Sequence, residues 1–258
     1  MVEAMSAAKP ILFMSQRLWH NERVDMDNLR GKTILVLGGS GALGSLLVSR
    51  LSAQGAQVMA TATSNERGAH IPTVASPRLL LDLARPESIE VLVNYLIQSG
   101  ATIDGIVNAT GVVAFGSASE LPAATLAKLT AVNFTGPISI ISGLLPALKT
   151  SAAAGNEPFV VNISGVVAES PMAGLAAYSA TKAGLWAFDQ ALAREVRKDG
   201  IRVIDARPGH TETGLATRAI SGTAPAFPTG MTPESVADRI VRAILGGETD
   251  LPSTAFSS

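Results

Sequence analysis

An α/β fold with a doubly wound, mostly parallel sheet is predicted by three features of the chain. Short unbroken apolar runs alternate with amphipathic stretches of helical period. A glycine-rich turn follows the first apolar run. Nothing in the 258 residues reads as an interdomain linker, an internal repeat or a low-complexity tract. Hydrophobic residues make up 47% of the sequence and charged residues 16%, which is ample for one well-buried core and unlike a disordered chain.

The elements follow in order. Thr33-Ile34-Leu35-Val36-Leu37 is an unbroken run, as expected of a parallel strand covered on both faces. Leu43, Leu46, Leu47 and Leu51 recur at helical spacing, and Gly55 ends that helix. Val58-Met59-Ala60-Thr61 and Arg78-Leu79-Leu80-Leu81 read as the second and third strands. Pro86 opens a helix with the stripe Ile89, Leu92, Val93, Leu96 and Ile97, closed by Gly100. Ile103 to Val107 is a fourth strand, Pro122 to Leu148 a long helical stretch, and Phe159 to Ile163 a fifth strand. The next helix carries Tyr178, Lys182, Leu185, Phe188 and Leu192, and Ile201 to Ile204 is the sixth strand. Pro233, after Thr232, starts the last helix, which runs to Leu245. A seventh strand is not expected in the tail after Gly246-Gly247. Residues 1–28 read as an extension before a domain spanning 29–258: a disordered tail, a packed arm or a start codon assigned too early.

Tyr178 and Lys182 lie four residues apart, so they share one face of their helix. An ammonium beside a phenol favours the phenolate and lowers a pKa that is about 10 when unperturbed. A phenol tuned that way exchanges a proton with a carbonyl or carbinol oxygen. Gly38, Gly41 and Gly44, with Ser40 and Leu43 among them, fall between a buried strand and a helix. Glycine there lets the backbone turn sharply and admits a pyrophosphate to the helix N-terminus. The two features in this order point to an oxidoreductase that uses a hydride-carrying cofactor.

From about Leu29 to Leu245 the chain resembles the short-chain dehydrogenase/reductase family, and its local wording is similar to bacterial 3-oxoacyl-acyl-carrier-protein reductases. Asn108-Ala109-Thr110-Gly111 resembles the family's Asn-Asn-Ala-Gly segment, and Val132-Asn133 its mid-helix asparagine motif. Tyr178 and Lys182 match the catalytic pair, and Pro208-Gly209 with Thr211 and Thr213 the loop that meets the nicotinamide. The resemblance implies a Rossmann-type domain. It makes Tyr178 the general acid/base, and Lys182 the residue that lowers its pKa and bonds the nicotinamide ribose. Asn133 becomes the holder of a relay water, and Asp82, followed by Leu83, the partner of the adenine. The family's second serine in Ile-Ser-Ser orients the substrate, but this chain reads Ile163-Ser164-Gly165. Either Ser164 reaches the site, or Ser164 is structural and the role is lost. The alternative to an active enzyme is therefore an impaired relative that binds nucleotide as a partner or regulator.

Thr61-Ala62-Thr63-Ser64-Asn65 carries no carboxylate for ribose hydroxyls. Thr63 and Ser64, with Arg67 nearby, favour NADP(H), with NAD(H) the alternative. The resemblance places a substrate lid between Thr213 and Thr232; the segment is short and mostly apolar, which suggests an aliphatic or alicyclic carbonyl or alcohol. Met172, Leu175 and Phe115 are candidate pocket residues. Trp186 reads as core packing and His210 as an exposed loop histidine. The net charge of −1 leaves no electrostatic footprint for nucleic acid or an anionic membrane. No apolar run approaches the roughly 18 residues of a membrane span. The absence of cysteine excludes disulfides and a cysteine nucleophile and fits a reducing cytoplasm. The scattered histidines give no metal site. A homodimer through the long helices is expected, with a tetramer possible in this family.

Overall fold

The computed structural model describes residues 29–256, so the extension expected over 1–28 lies outside the described residues. The elements are β1 (Thr33–Leu37), α1 (Ala42–Ala53), β2 (Gln57–Ala62), α2 (Asn65–Gly68), β3 (Arg78–Leu80), α3 (Pro86–Gln98) and β4 (Gly105–Asn108). They continue with α4 (Ala123–Thr130), α5 (Gly136–Ala153), β5 (Phe159–Ile163), α6 (Ala176–Val196), β6 (Arg202–Ala206), α7 (Pro233–Leu245) and β7 (Asp250–Leu251). The strands form one sheet in the order β3-β2-β1-β4-β5-β6-β7, and every pairing is parallel. The chain winds one way from β1 to β3 and the other way from β4 onward. A crevice therefore opens at the carboxyl ends of β1 and β4, where the order reverses.

Alternation along each strand feeds two apolar layers. Ile34, Val36, Val107, Phe159, Val161 and Ile204 pack with Leu47, Leu51, Ile240 and Ile244 of α1 and α7. Leu35, Leu37, Ile106, Val160 and Val203 pack with Leu92, Ile140, Leu144 and Leu192 of α3, α5 and α6. The second layer changes character toward the carboxyl ends of the strands. Asn108, Asn162 and Asp205 stand opposite one another on β4, β5 and β6, and all three are buried. A polar row thus crosses the sheet beneath α6 where the crevice begins.

The long helical stretch is not continuous. A π-helical turn over Ala131–Thr135 separates α4 from α5, and the helix extends to Ala153. Contrary to the sequence expectation, Ala123–Ala153 includes a window of mean hydropathy 1.4, long and apolar enough for a span on length and composition. Ile140, Ile141, Leu144 and Leu148 bury its apolar side in the core.

The tail also departs from expectation, since β7 forms. Ala206 pairs with Leu251, and Arg207 N donates to Leu251 O at 2.9 Å. The reason is Arg207, which is only 2% exposed. Its guanidinium reaches Asp205 Oδ1 and Asp250 Oδ1, each at 2.7 Å, and also Glu169. It lies over the Trp186 ring, 4.9 Å from the centroid. Ser253 Oγ donates to the other oxygen of Glu169 at 2.7 Å. A two-residue strand is thereby fixed by a buried cation that the sequence reading passed over.

Removing Arg207 leaves Asp205 buried without its counter-charge. Arg207→Ala should cost about 3 kcal/mol or more in urea unfolding. Asp250→Ala, whose side chain is 61% exposed, should cost less than about 1 kcal/mol.

Candidate active site

The turn after β1 is built for close backbone approach. Gly38 has φ 76°, its N–H donates to Thr61 Oγ1 at 3.1 Å, and its carbonyl accepts from Gly41 N at 3.0 Å. A Cβ on Gly44 would stand 2.1 Å from Gly38 O, so no other residue fits there without opening the turn. Gly41 caps α1 with no side-chain hydrogen bond to the helix N–H groups. Those donors are left for an anion. Gly41, Ala42 and Leu43 line one end of a cavity of about 270 Å³, and Ala109, Thr110 and Gly111 after β4 line its floor. Asn108 below them donates through Nδ2 to Asn162 Oδ1 at 2.8 Å.

α6 brings Tyr178 and Lys182 to the same cavity. Lys182 is 4% exposed, and its Nζ donates to Ile163 O at 2.7 Å. Burial lowers its pKa to about 8, against the opposing pull of Asp205 and Asp189. Burial pushes the Tyr178 phenol up to about 12. The sequence reading expected the ammonium to lower the phenol. Lys182 Nζ is directed to the Ile163 carbonyl, and burial alone sets the direction of the phenol's shift.

Asn133 sits in the π-helical turn, and its amide is fully engaged. Oδ1 accepts from Val112 N at 2.9 Å, and Nδ2 donates to Val112 O at 2.8 Å and to Thr181 Oγ1 at 3.3 Å. The side chain is a clamp between the Gly111–Val112 segment and α6. A Cβ on Gly111 would lie 3.5 Å from Asn133 Oδ1 and 3.6 Å from Lys182 Nζ. These two residues therefore meet across the same glycine.

Ser164 lines the cavity, with its hydroxyl bonded beneath it. The residue is fully buried, and its hydroxyl donates to Asp205 Oδ1 at 2.7 Å. Its proton is committed to the core, away from a substrate oxygen. Gly165 lines the cavity at φ 79°, and a Cβ there would meet nothing closer than Pro208 O at 3.8 Å. Space for a side chain exists at Gly165, but its backbone conformation is one that favours glycine.

The far wall comes from the loop after β6 and the lid. Pro208, Gly209, Thr211 and Thr213 line the cavity. Thr211 Oγ1 donates to Gly209 O at 2.9 Å, and Thr213 Oγ1 accepts from Leu215 N at 3.3 Å. His210 is not merely an exposed loop residue. It lines the cavity and stacks on Phe227 with ring centroids 4.8 Å apart. Val113, Phe115, Val166, Met172, Leu175 and Leu215 line the rest of this end with apolar surface, and Arg218 also borders it. The lid is stitched down by its backbone. Ile220 N donates to Val113 O at 2.8 Å, and Phe115 N to Ser221 O at 2.9 Å.

Other candidates lie apart from this cavity. Thr63 follows β2 and is exposed. Asp82 Oδ1 accepts from Ala84 N at 3.0 Å, and Asp82 N donates to Ser88 Oγ at 2.9 Å, so the residue shapes its own turn. The Leu83 side chain is 5% exposed and packs in the core. Trp186 supports Arg207. Sequence reasoning missed Asp189, Asp205 and Arg207. The available signal was charge inside otherwise apolar segments: Asp189 between Leu185 and Leu192, and Asp205 and Arg207 two apart at the end of β6.

The fold is shared with known proteins. The short chain dehydrogenase family model matches residues 32–223. The dehydrogenase/reductase SDR family protein 7-like of Anopheles gambiae is 28% identical over 262 residues, covering 95% of this chain and 81% of that protein. The 3-oxoacyl-(acyl-carrier-protein) reductase FabG of Vibrio cholerae is 28% identical over 197 residues, covering 75% and 79%. A short-chain dehydrogenase from Sphingobium yanoikuyae in complex with NADPH superposes with a TM-score of 0.76 at 24% identity, covering 86% of this chain and 87% of that one. The chain belongs to the short-chain dehydrogenase/reductase family of NAD(P)-dependent oxidoreductases.

Two outcomes follow from the geometry. Gly44→Ala should weaken NADPH binding at least about tenfold by calorimetry, because the added methyl forces Gly38 O out of the turn. The buried Lys182 gives a pH signature. Between about pH 8, its folded pKa, and 10.5, its ordinary value, the unfolded chain holds a proton that the folded protein has released. Stability of the cofactor-free protein relative to Lys182→Met should therefore rise across that window, by up to about 3 kcal/mol in denaturant titrations.

Proposed function

We propose that the chain transfers a hydride between NADP(H) and a carbonyl or secondary alcohol of an aliphatic or alicyclic substrate, with Tyr178 as general acid/base. The observation that carries this reading is convergence. The open N-terminus of α1, the Tyr178 phenol and the Lys182 ammonium all border one cavity. The residues fit a dinucleotide. Gly38, Ser40, Gly41 and Gly44 would receive the pyrophosphate, Asp82 and Leu83 the adenine, and Asn108, Ala109 and Gly111 the linking ribose. Lys182, Pro208, Gly209, Thr211 and Thr213 would surround the nicotinamide half.

When bound, that cofactor supplies the hydride to the substrate carbon. Tyr178 supplies the proton. A phenol with a pKa near 12 is protonated at neutral pH, which is the form needed to donate to a carbonyl oxygen as it gains negative charge. Lys182, with a pKa near 8, is mostly charged there and opposes the charge left on the phenolate. Asn133 holds the Gly111–Val112 backbone in place beside Lys182. In the oxidative direction the same phenolate takes the alcohol proton.

NADP(H) is favoured over NAD(H) by the end of β2. Thr63, Ser64 and Asn65 are exposed and bring no carboxylate, and Arg67 follows on α2. The apolar walls favour an uncharged aliphatic or alicyclic carbonyl. A reducing cytoplasm and a homodimer through the long helices, with a tetramer as the larger assembly, complete the reading. A second reading rests on Ser164. With its hydroxyl donated to Asp205, a substrate-orienting donor is missing, which costs on the order of a hundredfold or more in rate. That observation favours a slow enzyme or a nucleotide-binding partner protein.

NADPH oxidation across a panel of carbonyls, beside calorimetry with NADPH, separates the readings. Tyr178→Phe should lower kcat/KM about 10²- to 10⁴-fold while leaving the NADPH Kd within about threefold. Unchanged turnover in that variant removes Tyr178 from the chemistry. Tight NADPH binding without turnover on any carbonyl favours the second reading.

A further inference from the structure

Asp189 and Asp205 face each other between α6 and the sheet, 3% and 4% exposed. Each has one oxygen fully engaged. Asp189 Oδ1 accepts from Asn162 Nδ2 at 2.7 Å. Asp205 Oδ1 accepts from Ser164 Oγ and from Arg207 Nη1, each at 2.7 Å. The second oxygen of each is buried with no donor, and the two carboxyl groups are within hydrogen-bonding reach of one another. Two neighbouring buried carboxylates cannot both be ionised at modest cost, whereas one proton between them would give their unpartnered oxygens a donor and an acceptor.

The setting makes the resulting single charge useful. On α6, Lys182 lies seven residues before Asp189 on the same buried stripe, and both acids act on it electrostatically. The charged groups around the pair are Lys182 and Asp189 from α6, Asp205 and Arg207 from β6 and its end, Glu169 from the turn after β5, and Asp250 from β7. Arg207 is already shared by three carboxylates. Among the described residues, Lys182 is matched by the carbonyl of Ile163 and by the pair.

We infer that Asp189 and Asp205 form a proton-sharing carboxyl pair whose one negative charge, held beneath the catalytic centre, keeps Lys182 charged and so positions it to act on Tyr178. This rests on the reading of Tyr178 and Lys182 given above. The two acids are positioning residues, acting through Lys182. Asp189 carries the shared proton and donates it to Asp205, because Asp205 is the one that faces Arg207 and the Ser164 hydroxyl. Burial, and then Asp205, hold the Asp189 carboxyl well above its ordinary range. The same pair accounts for Ser164: its hydroxyl is drawn to the ionised member.

Two measurements on the full chain test this. The first needs no activity. With ¹³C-labelled aspartate, the wild-type protein should show one carboxyl resonance at the protonated position at pH 7. That resonance should be absent in Asp189→Asn, whose amide takes over donation to Asp205. Wild-type spectra with every aspartate ionised at pH 7 would overturn the pair. The second is the pH profile of kcat/KM for NADPH-dependent carbonyl reduction. Asp189→Asn and Asp205→Asn each retain one carboxylate. The double variant Asp189→Asn/Asp205→Asn retains none, and its alkaline limb should move down by at least about one pH unit relative to either single variant. A double variant that is folded by circular dichroism but keeps the limb of the single variants would overturn the link to Lys182. Should no variant turn over any carbonyl, the reading of the site fails while the resonance still decides whether the proton is shared.

Discussion

Everything at this site depends on burying positive charge beneath the carboxyl ends of β5 and β6. Lys182 and Arg207 are both almost wholly removed from solvent, and neither can remain there without acceptors. The structure meets that requirement with different means. Lys182 takes a strand carbonyl and the field of nearby acids. Arg207 takes three carboxylates and an aromatic face. The polar row on β4, β5 and β6, the capture of Ser164 and the pinning of β7 all follow from those two demands.

The arrangement links parts of the chain that are far apart in sequence. Thr110 on the cavity floor bonds Asn108, Asn108 bonds Asn162, and Asn162 bonds Asp189. From Asp205 the connections pass through Arg207 to Glu169, Asp250 and Ser253. Two sets of hydrogen bonds thus meet at the Asp189 and Asp205 carboxyl groups under α6, one from the cavity floor and one from the last strand. Such sets rigidify when every member is satisfied. Here the two oxygens without an assigned donor belong to the pair of acids where they meet.

Much of the fold was legible because it rests on periodicity and glycine. Apolar runs marked six strands, and Pro86 and Pro233 marked two helix starts correctly. The glycine turn was legible for a steric reason that the packing bears out, since a methyl at Gly44 has nowhere to go. What escaped was conditional on distant partners. β7 has two residues and depends on Arg207 and Leu251. The break between α4 and α5 was signalled only by Gly136-Pro137 just beyond it, which the sequence reading passed over. Tyr178 and Lys182 could be placed on one helix face, but the sign of the phenol's shift could not. It is decided by how much water the cavity excludes, a property of Val113, Leu175 and the lid together. Ser164 was ambiguous for the same reason, because the direction of one hydroxyl is set by an aspartate 41 positions away.

The lid is joined to the segment after β4 through main-chain groups, with Gly222 packed so closely on Phe115 that a methyl there would stand 1.9 Å from the Phe115 carbonyl oxygen. Its closure is consequently indifferent to the identity of most of the side chains it presents to the cavity. Side chains that it presents to the cavity, such as Leu215, can then change which molecules fit while the main-chain bonds remain. This separation of containment from selectivity gives the scaffold an easy route to new substrates.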